Sequence, residues 1–165
     1  SSPPSPLSTL GSIGLSAGWN MVSVPSEGAI DMNTIAQACG SKPYAWMLTS
    51  SGYVKATTLF AGTGYWVHSS QSCSVPISQG GTAVVPQPLA AGWNLAAAPT
   101  DMAASDYLSS CSIISGPWYY SQQAGSSSPY VYSANLVPGR AYWVKVSGAC
   151  TPSVASDSSP PSPPA

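Results

Sequence analysis

Nine charged side chains are scattered through 165 residues: Glu27, Asp31, Asp101, Asp106, Asp157, Lys42, Lys55, Arg140 and Lys145. Hydrolytic chemistry needs an acid and a base whose pKa values are pushed apart by their surroundings. Four of the carboxylates instead precede two predicted helices, Glu27 and Asp31 before the first, Asp101 and Asp106 before the second. Acidic side chains there accept from free backbone N–H groups and oppose the helix dipole, so capping explains them. The lone histidine, His68, becomes Lys145 in a second copy of the pattern described below, so no duplicated function depends on it. It reads as a solvated strand residue. Serines abound without a Gly-x-Ser-x-Gly elbow. These residues point to no catalytic group and no cofactor, and the chain is not expected to be an enzyme.

Cysteines and aromatics carry the stronger signal. Cys39, Cys73, Cys111 and Cys150 lie far apart, with no CxxC and one histidine, which is a poor metal-ligand set. No metal site is expected. Six tryptophans and nine tyrosines provide flat apolar faces on which sugar rings can stack. Tyr119, Tyr120, Tyr130 and Tyr132 cluster around one long loop and are the candidate sugar contacts. The tryptophans are assigned to the core, because each recurs inside an apolar strand and small disulfide modules often pack a Trp on the bridge.

The elements that hold these residues occur twice. Gly18-Trp19-Asn20 returns as Gly92-Trp93-Asn94, and each apolar run that follows ends in proline, Pro25 or Pro99. Cys39 and Trp46 are matched by Cys111 and Trp118, Tyr65-Trp66-Val67 by Tyr142-Trp143-Val144, and Cys73 by Cys150. The offset stays between 72 and 77 residues. A fixed internal period is the mark of a repeated unit. Of the three possible pairings of four cysteines, duplication favours Cys39–Cys73 and Cys111–Cys150, one bridge per copy, since modules this small need a staple. Lasting disulfides imply an oxidising, extracellular or cell-surface setting.

The reading along the chain is a Ser/Pro segment over 1–9, a β-module over 10–78, a connector over 79–88, a second module over 89–153 and a Ser/Pro segment over 154–165. In module 1, strands are predicted over 19–24, 44–49, 53–58, 64–68 and 73–75, with a turn at Ser50-Ser51-Gly52. A short helix is predicted over 31–40, with Asp31 as N-cap and Gly40 as terminator. The copy pairs strands over 118–122 and 130–134 across a longer Gly125-containing loop. The fold class is therefore mainly β: two tandem modules, each with one short helix and one disulfide. The flanking Ser/Pro stretches are predicted to be polyproline II.

Charge bounds the partners. Charged residues make up 5% of the chain, against about 25% in ordinary soluble domains, and the net charge is −1. Nucleic acid needs a basic patch, so it is excluded as a partner. No apolar run has the length of a membrane span. So uncharged a surface requires either cover by other chains or hydrophilic glycans. No Asn-x-Ser/Thr sequon exists, so glycans would be O-linked. The candidate sites are Pro3, Pro4, Pro6, Pro160, Pro161, Pro163 and Pro164 as hydroxyprolines, with Ser1, Ser2, Ser5, Ser158, Ser159 and Ser162.

The hexapeptide Ser-Ser-Pro-Pro-Ser-Pro at residues 1–6 recurs at 158–163. This predicts either one unit of a longer tandem polypeptide or a polymerising subunit with matching tails. Leu7, Ile13 and Leu15 share one period-2 face, so residues 7–15 are expected to pack on the sheet of a preceding module in a head-to-tail stack.

The order GWN, apolar strand, proline, short helix, aromatic strand pair and YWV resembles small β-modules found repeatedly in secreted and cell-surface microbial proteins. The resemblance covers most of 15–75 and 89–150, and it implies a structural or adhesive role. Gly64 of the first copy is Ala141 in the second, a departure from the motif. The Ser/Pro stretches are similar to those of hydroxyproline-rich cell-wall glycoproteins such as extensins and pherophorins, which implies O-glycosylation. The expected function is a structural subunit or tandem unit of an extracellular filament or surface appendage, with copies of itself as partner. The alternative is a carbohydrate-binding or adhesin module of a larger secreted protein.

Overall fold

The computed structural model describes residues 12–25, 28–49, 51–79, 87–98, 101–121 and 129–153. The Ser/Pro segments with all candidate glycosylation sites, most of the connector, Glu27, Asp157 and the Gly125 loop lie outside the described residues.

Each GWN tripeptide starts a strand for a local reason. Gly18 and Gly92 adopt φ of 102° and 101°, a left-handed turn that disfavours any side chain. The following asparagine then staples the turn. Asn20 Oδ1 accepts from Ser16 N at 3.0 Å and its Nδ2 donates to the Ser16 and Gly18 carbonyls at 2.9 and 3.1 Å. Asn94 repeats this with Ala90 and Gly92 at 3.0, 2.8 and 3.1 Å. The tyrosine of each YWV closes another shared link: Tyr65 OH accepts from Phe60 N at 3.1 Å, and Tyr142 OH from Val137 N at 2.9 Å.

Module 1 comprises β1 (Ser12–Leu15), β2 (Gly18–Val22), β3 (Gly28–Asp31), α1 (Met32–Cys39), β4 (Ala45–Thr49), β5 (Gly52–Ala56), β6 (Thr58–Phe60), β7 (Tyr65–Ser69), β8 (Cys73–Pro76) and β9 (Ser78–Gln79). Module 2 comprises β10 (Gly92–Ala96), β11 (Met102–Ala103), α2 (Ala104–Tyr107), β12 (Ile113–Tyr120), β13 (Tyr130–Tyr132), β14 (Asn135–Leu136) and β15 (Tyr142–Val146). The main sheets are copies of one another, antiparallel with orders β2-β7-β4-β5 and β10-β15-β12-β13. The two-module, mainly β architecture expected from the sequence is present.

Helix α1 keeps its expected caps. Asp31 accepts from Asn33 N at 2.9 Å, and Gly40 ends the helix at φ 68°. Helix α2 does not follow. It has four residues, and β11 runs straight into it, so Ala103 occupies the N-cap with no side-chain acceptor. Asp106 lies inside the helix, and neither it nor Asp101 caps it. The bridges are Cys39–Cys73 and Cys111–Cys150, with Cα separations of 5.6 and 5.3 Å. They close loops of 34 and 39 residues, each worth about 4 kcal/mol in the chain-entropy account.

Each core lies between the inner face of a main sheet and the helix layer. Val22, Tyr65 and Val67 meet Met32 and Ile35 in module 1; Tyr142 and Val144 meet Tyr107 and Leu108 in module 2. Two expectations are corrected here. Residues 12–15 do not extend to another module: β1 pairs with β8 of its own module, and Ile13 and Leu15 are buried in its core. The shared face of Ile13 and Leu15 was read correctly, but the nearest open strand edge is intramolecular. The tryptophans are not core residues either. None of the six belongs to either core, and Trp19 and Trp93 are 43% and 46% exposed.

The modules join around their motif residues. Ala141 N donates to the Met21 carbonyl at 3.4 Å, Ser23 N to the Gly139 carbonyl at 3.0 Å, and Ser23 Oγ to the Arg140 carbonyl at 2.6 Å. Gly64 faces Leu95, the counterpart of Met21, and also faces Ala141, its own counterpart. The junction is thus an approximate two-fold, with Gly64 against Ala141 near its axis. The departure from the motif at this position follows: two facing methyl groups do not fit, so one copy has none.

Candidate functional site: a shared aromatic face

Strand alternation explains where the tryptophans go. In YWV, tyrosine and valine point to the core, so the central Trp must point away. Register then gathers the others. Trp19 lies opposite His68, Met21 opposite Trp66, Trp66 opposite Trp46, Trp46 opposite Lys55, and Leu48 opposite Tyr53. In module 2, Trp93 lies opposite Lys145, Leu95 opposite Trp143, Trp143 opposite Trp118, Trp118 opposite Tyr132, and Tyr120 opposite Tyr130. Each sheet therefore carries three tryptophans on the face turned away from its core.

Two clefts result. One, of about 580 Å³, is lined by Trp19, Trp46, Tyr53, Trp66, Tyr120 and Tyr130. The other, of about 490 Å³, is lined by Trp93, Trp118, Tyr130 and Trp143. Tyr130 is common to both, and the first takes Tyr120 from the other module, so the two outer faces form one surface. The rings hold one another edge to face. Trp19–Trp66 and Trp93–Trp143 centroids are each 6.1 Å apart, Trp66–Tyr120 5.4 Å and Tyr120–Tyr130 5.7 Å. Such packing fixes ring orientation while leaving faces open.

Of the four tyrosines singled out in the sequence, Tyr120, Tyr130 and Tyr132 lie on this face. Tyr119 does not. It points inward, its ring 6.0 Å from that of buried Tyr142 and 4.3 Å beneath the Arg140 guanidinium. Tyr119 and Tyr120 are neighbours on one strand, so they cannot share a face. The site residues missed by sequence reasoning are the tryptophans themselves and Tyr53. Tyr53 is 48% exposed, and partial burial pushes its phenol pKa above the usual value.

His68 packs edge-on against Trp19 at 5.1 Å. Among the described residues no three His, Cys, Asp or Glu side chains come together as a metal site, and no helix is long and apolar enough to cross a membrane. No protein-family model matches the chain, and no curated protein or solved structure is significantly similar to it.

Proposed function

We propose that this chain is a non-enzymatic, carbohydrate-binding unit of an extracellular structure, gripping polysaccharide on its aromatic face. The observation that carries this reading is the outward placement of all six tryptophans in two matched clefts. Keeping six indoles out of the core, two of them nearly half exposed, forgoes the burial free energy that the core would supply. Apolar clefts with few polar groups are the usual form of a ligand site. Pyranose rings suit it, because their C–H faces are flat and apolar while their hydroxyls stay wet at the rim. Two clefts on one rigid body would engage one polymer twice, which raises avidity without new contacts.

Titration calorimetry with a panel of soluble polysaccharides tests this, using Trp19→Ala, Trp93→Ala and the double variant. Truncating a central aromatic contact typically costs about 2 kcal/mol, roughly a thirtyfold loss of affinity. Unchanged affinity in the double variant, or no binding to any polysaccharide, would sink the reading.

The Ser-Pro hexapeptide present at 1–6 and 158–163 favours a second, compatible role. In it the unit is a bead of a filament or surface appendage, and its Ser/Pro stretches are O-glycosylated spacers. Electron microscopy of native particles would reveal filaments, and an intact mass at the bare 16.8 kDa per unit would rule the glycosylation out.

A further inference from the structure

Resting on the carbohydrate reading, we infer that the aromatic face selects acidic polysaccharide, its clefts stacking on uronate rings whose carboxylates meet Lys55 and Lys145. The argument comes from how few charges the chain has and where the fold puts them. Among the described residues the carboxylates are Asp31, Asp101 and Asp106, and all three belong to the segments around α1 and α2. Those helices pack on the inner side of each core, opposite the aromatic face. Of the four described cations, Lys42 follows the C-cap of α1 and Arg140 sits at the module junction, while the other two lie on the aromatic face. Lys55 is directly across from Trp46, and Lys145 directly across from Trp93, one beside each cleft. A protein of net charge −1 thus has a face with positive charge alone among its described residues.

The ammonium groups lie close to the rings. Lys55 Nζ is 4.3 Å from the Tyr44 ring centroid and 5.6 Å from that of Trp46, and Lys145 Nζ is 6.0 Å from that of Trp93. Cations held this way are attracted by the ring quadrupole, and among the described residues no carboxylate pairs with either. A uronate bears its carboxylate equatorially at the ring edge. When the sugar's C–H face lies on Trp46 or Trp93, that carboxylate projects to the rim, within the sweep of the flexible lysine. Arg140 extends the same field into the groove at the module junction, beside Trp19, Asn20 and Tyr120. Neutral hexoses would gain the stacking but not the ion pair.

The test compares polygalacturonate with the same polymer fully methyl-esterified, which keeps the ring and removes the charge. Each exposed ion pair is worth a factor of about two to five, so two give roughly a tenfold preference for the acid at low salt. That preference should shrink as salt rises and vanish in Lys55→Gln/Lys145→Gln, whose affinity for the ester stays unchanged. Equal affinity for both polymers, with loss of both in Trp19→Ala/Trp93→Ala, would overturn the acidic selectivity and leave the carbohydrate reading standing. No binding to either polymer overturns both. Acid binding that survives the tryptophan variants would also overturn it, since charge alone would then be responsible.

Discussion

Gly64 offers a sharp test of the junction. A methyl added there would lie 2.8 Å from Leu95 Cγ, 2.9 Å from Ala141 Cβ and 3.0 Å from the Leu95 carbonyl. Carbon atoms in comfortable contact stay about 3.5 Å or more apart, so three neighbours must give way at once. Overpacking of this kind costs about 1–3 kcal/mol. Gly64 is not among the glycines with positive φ, so alanine gains about 0.4–1 kcal/mol from the stiffer unfolded chain. The net expectation for Gly64→Ala is a loss of about 1–2 kcal/mol. In a chain of this size that lowers Tm by about 2–8 °C by calorimetry. Adding Ala141→Gly removes the 2.9 Å contact but not those with Leu95. The double variant should therefore show a favourable coupling of at least about 0.5 kcal/mol. A Gly64→Ala protein as stable as the parent, or strictly additive variants, would refute the junction described above.

Other expectations follow from single interactions. Asp31→Ala should cost about 1 kcal/mol in urea unfolding, because α1 loses its N-cap, whereas Asp101→Ala should be near neutral. Tyr107 donates to the Ala97 carbonyl at 2.8 Å, so Tyr107→Phe strands a buried acceptor and should cost about 1–2 kcal/mol. Burial pushes the Tyr107 phenol up to about 12, from 10.0. The fold thus favours the neutral form, whose stabilisation is complete below pH 10 and is lost between pH 10 and 12. Alkaline unfolding curves should flatten in the Phe variant. Replacing both members of either cysteine pair by alanine should lower stability by up to about 4 kcal/mol. Non-reducing peptide maps should contain no Cys39–Cys111 or Cys73–Cys150 peptide.

The parts of this fold that were legible in the sequence are those set by spacing. Paired GWN and YWV motifs announced two equal sheets, duplication selected the disulfide partners, and Asp31 with Gly40 marked both ends of α1. The facing of the strands was harder. Period-2 alternation shows that Tyr65 and Val67 share a side and that Trp66 takes the other, but both sides of YWV are apolar. Hydrophobicity alone therefore gave the tryptophans to the core. The deciding fact is three-dimensional. The space under each sheet is already filled by the helix layer, with Met32 and Ile35 in one module and Tyr107 and Leu108 in the other. The smaller valines and the hydrogen-bonded tyrosines fit that layer, and the indoles do not. For β1, alternation found the apolar face of Ile13 and Leu15, while its partner β8 is far along the chain, with Ser12 opposite Pro76 and Leu15 opposite Cys73, and no local signal names it. Tyr119 was grouped with Tyr120 by proximity in sequence, although adjacent strand residues must face opposite ways.

The central claim is that the tryptophans form an open ligand platform. Acrylamide quenching of tryptophan fluorescence, measured on the folded protein with and without saturating polygalacturonate, tests it most directly. The predicted result is efficient quenching of the free protein and a blue-shifted, protected emission when the polysaccharide is bound. Indoles already blue-shifted and shielded in the free folded protein would contradict the account, as would quenching that polysaccharide leaves untouched.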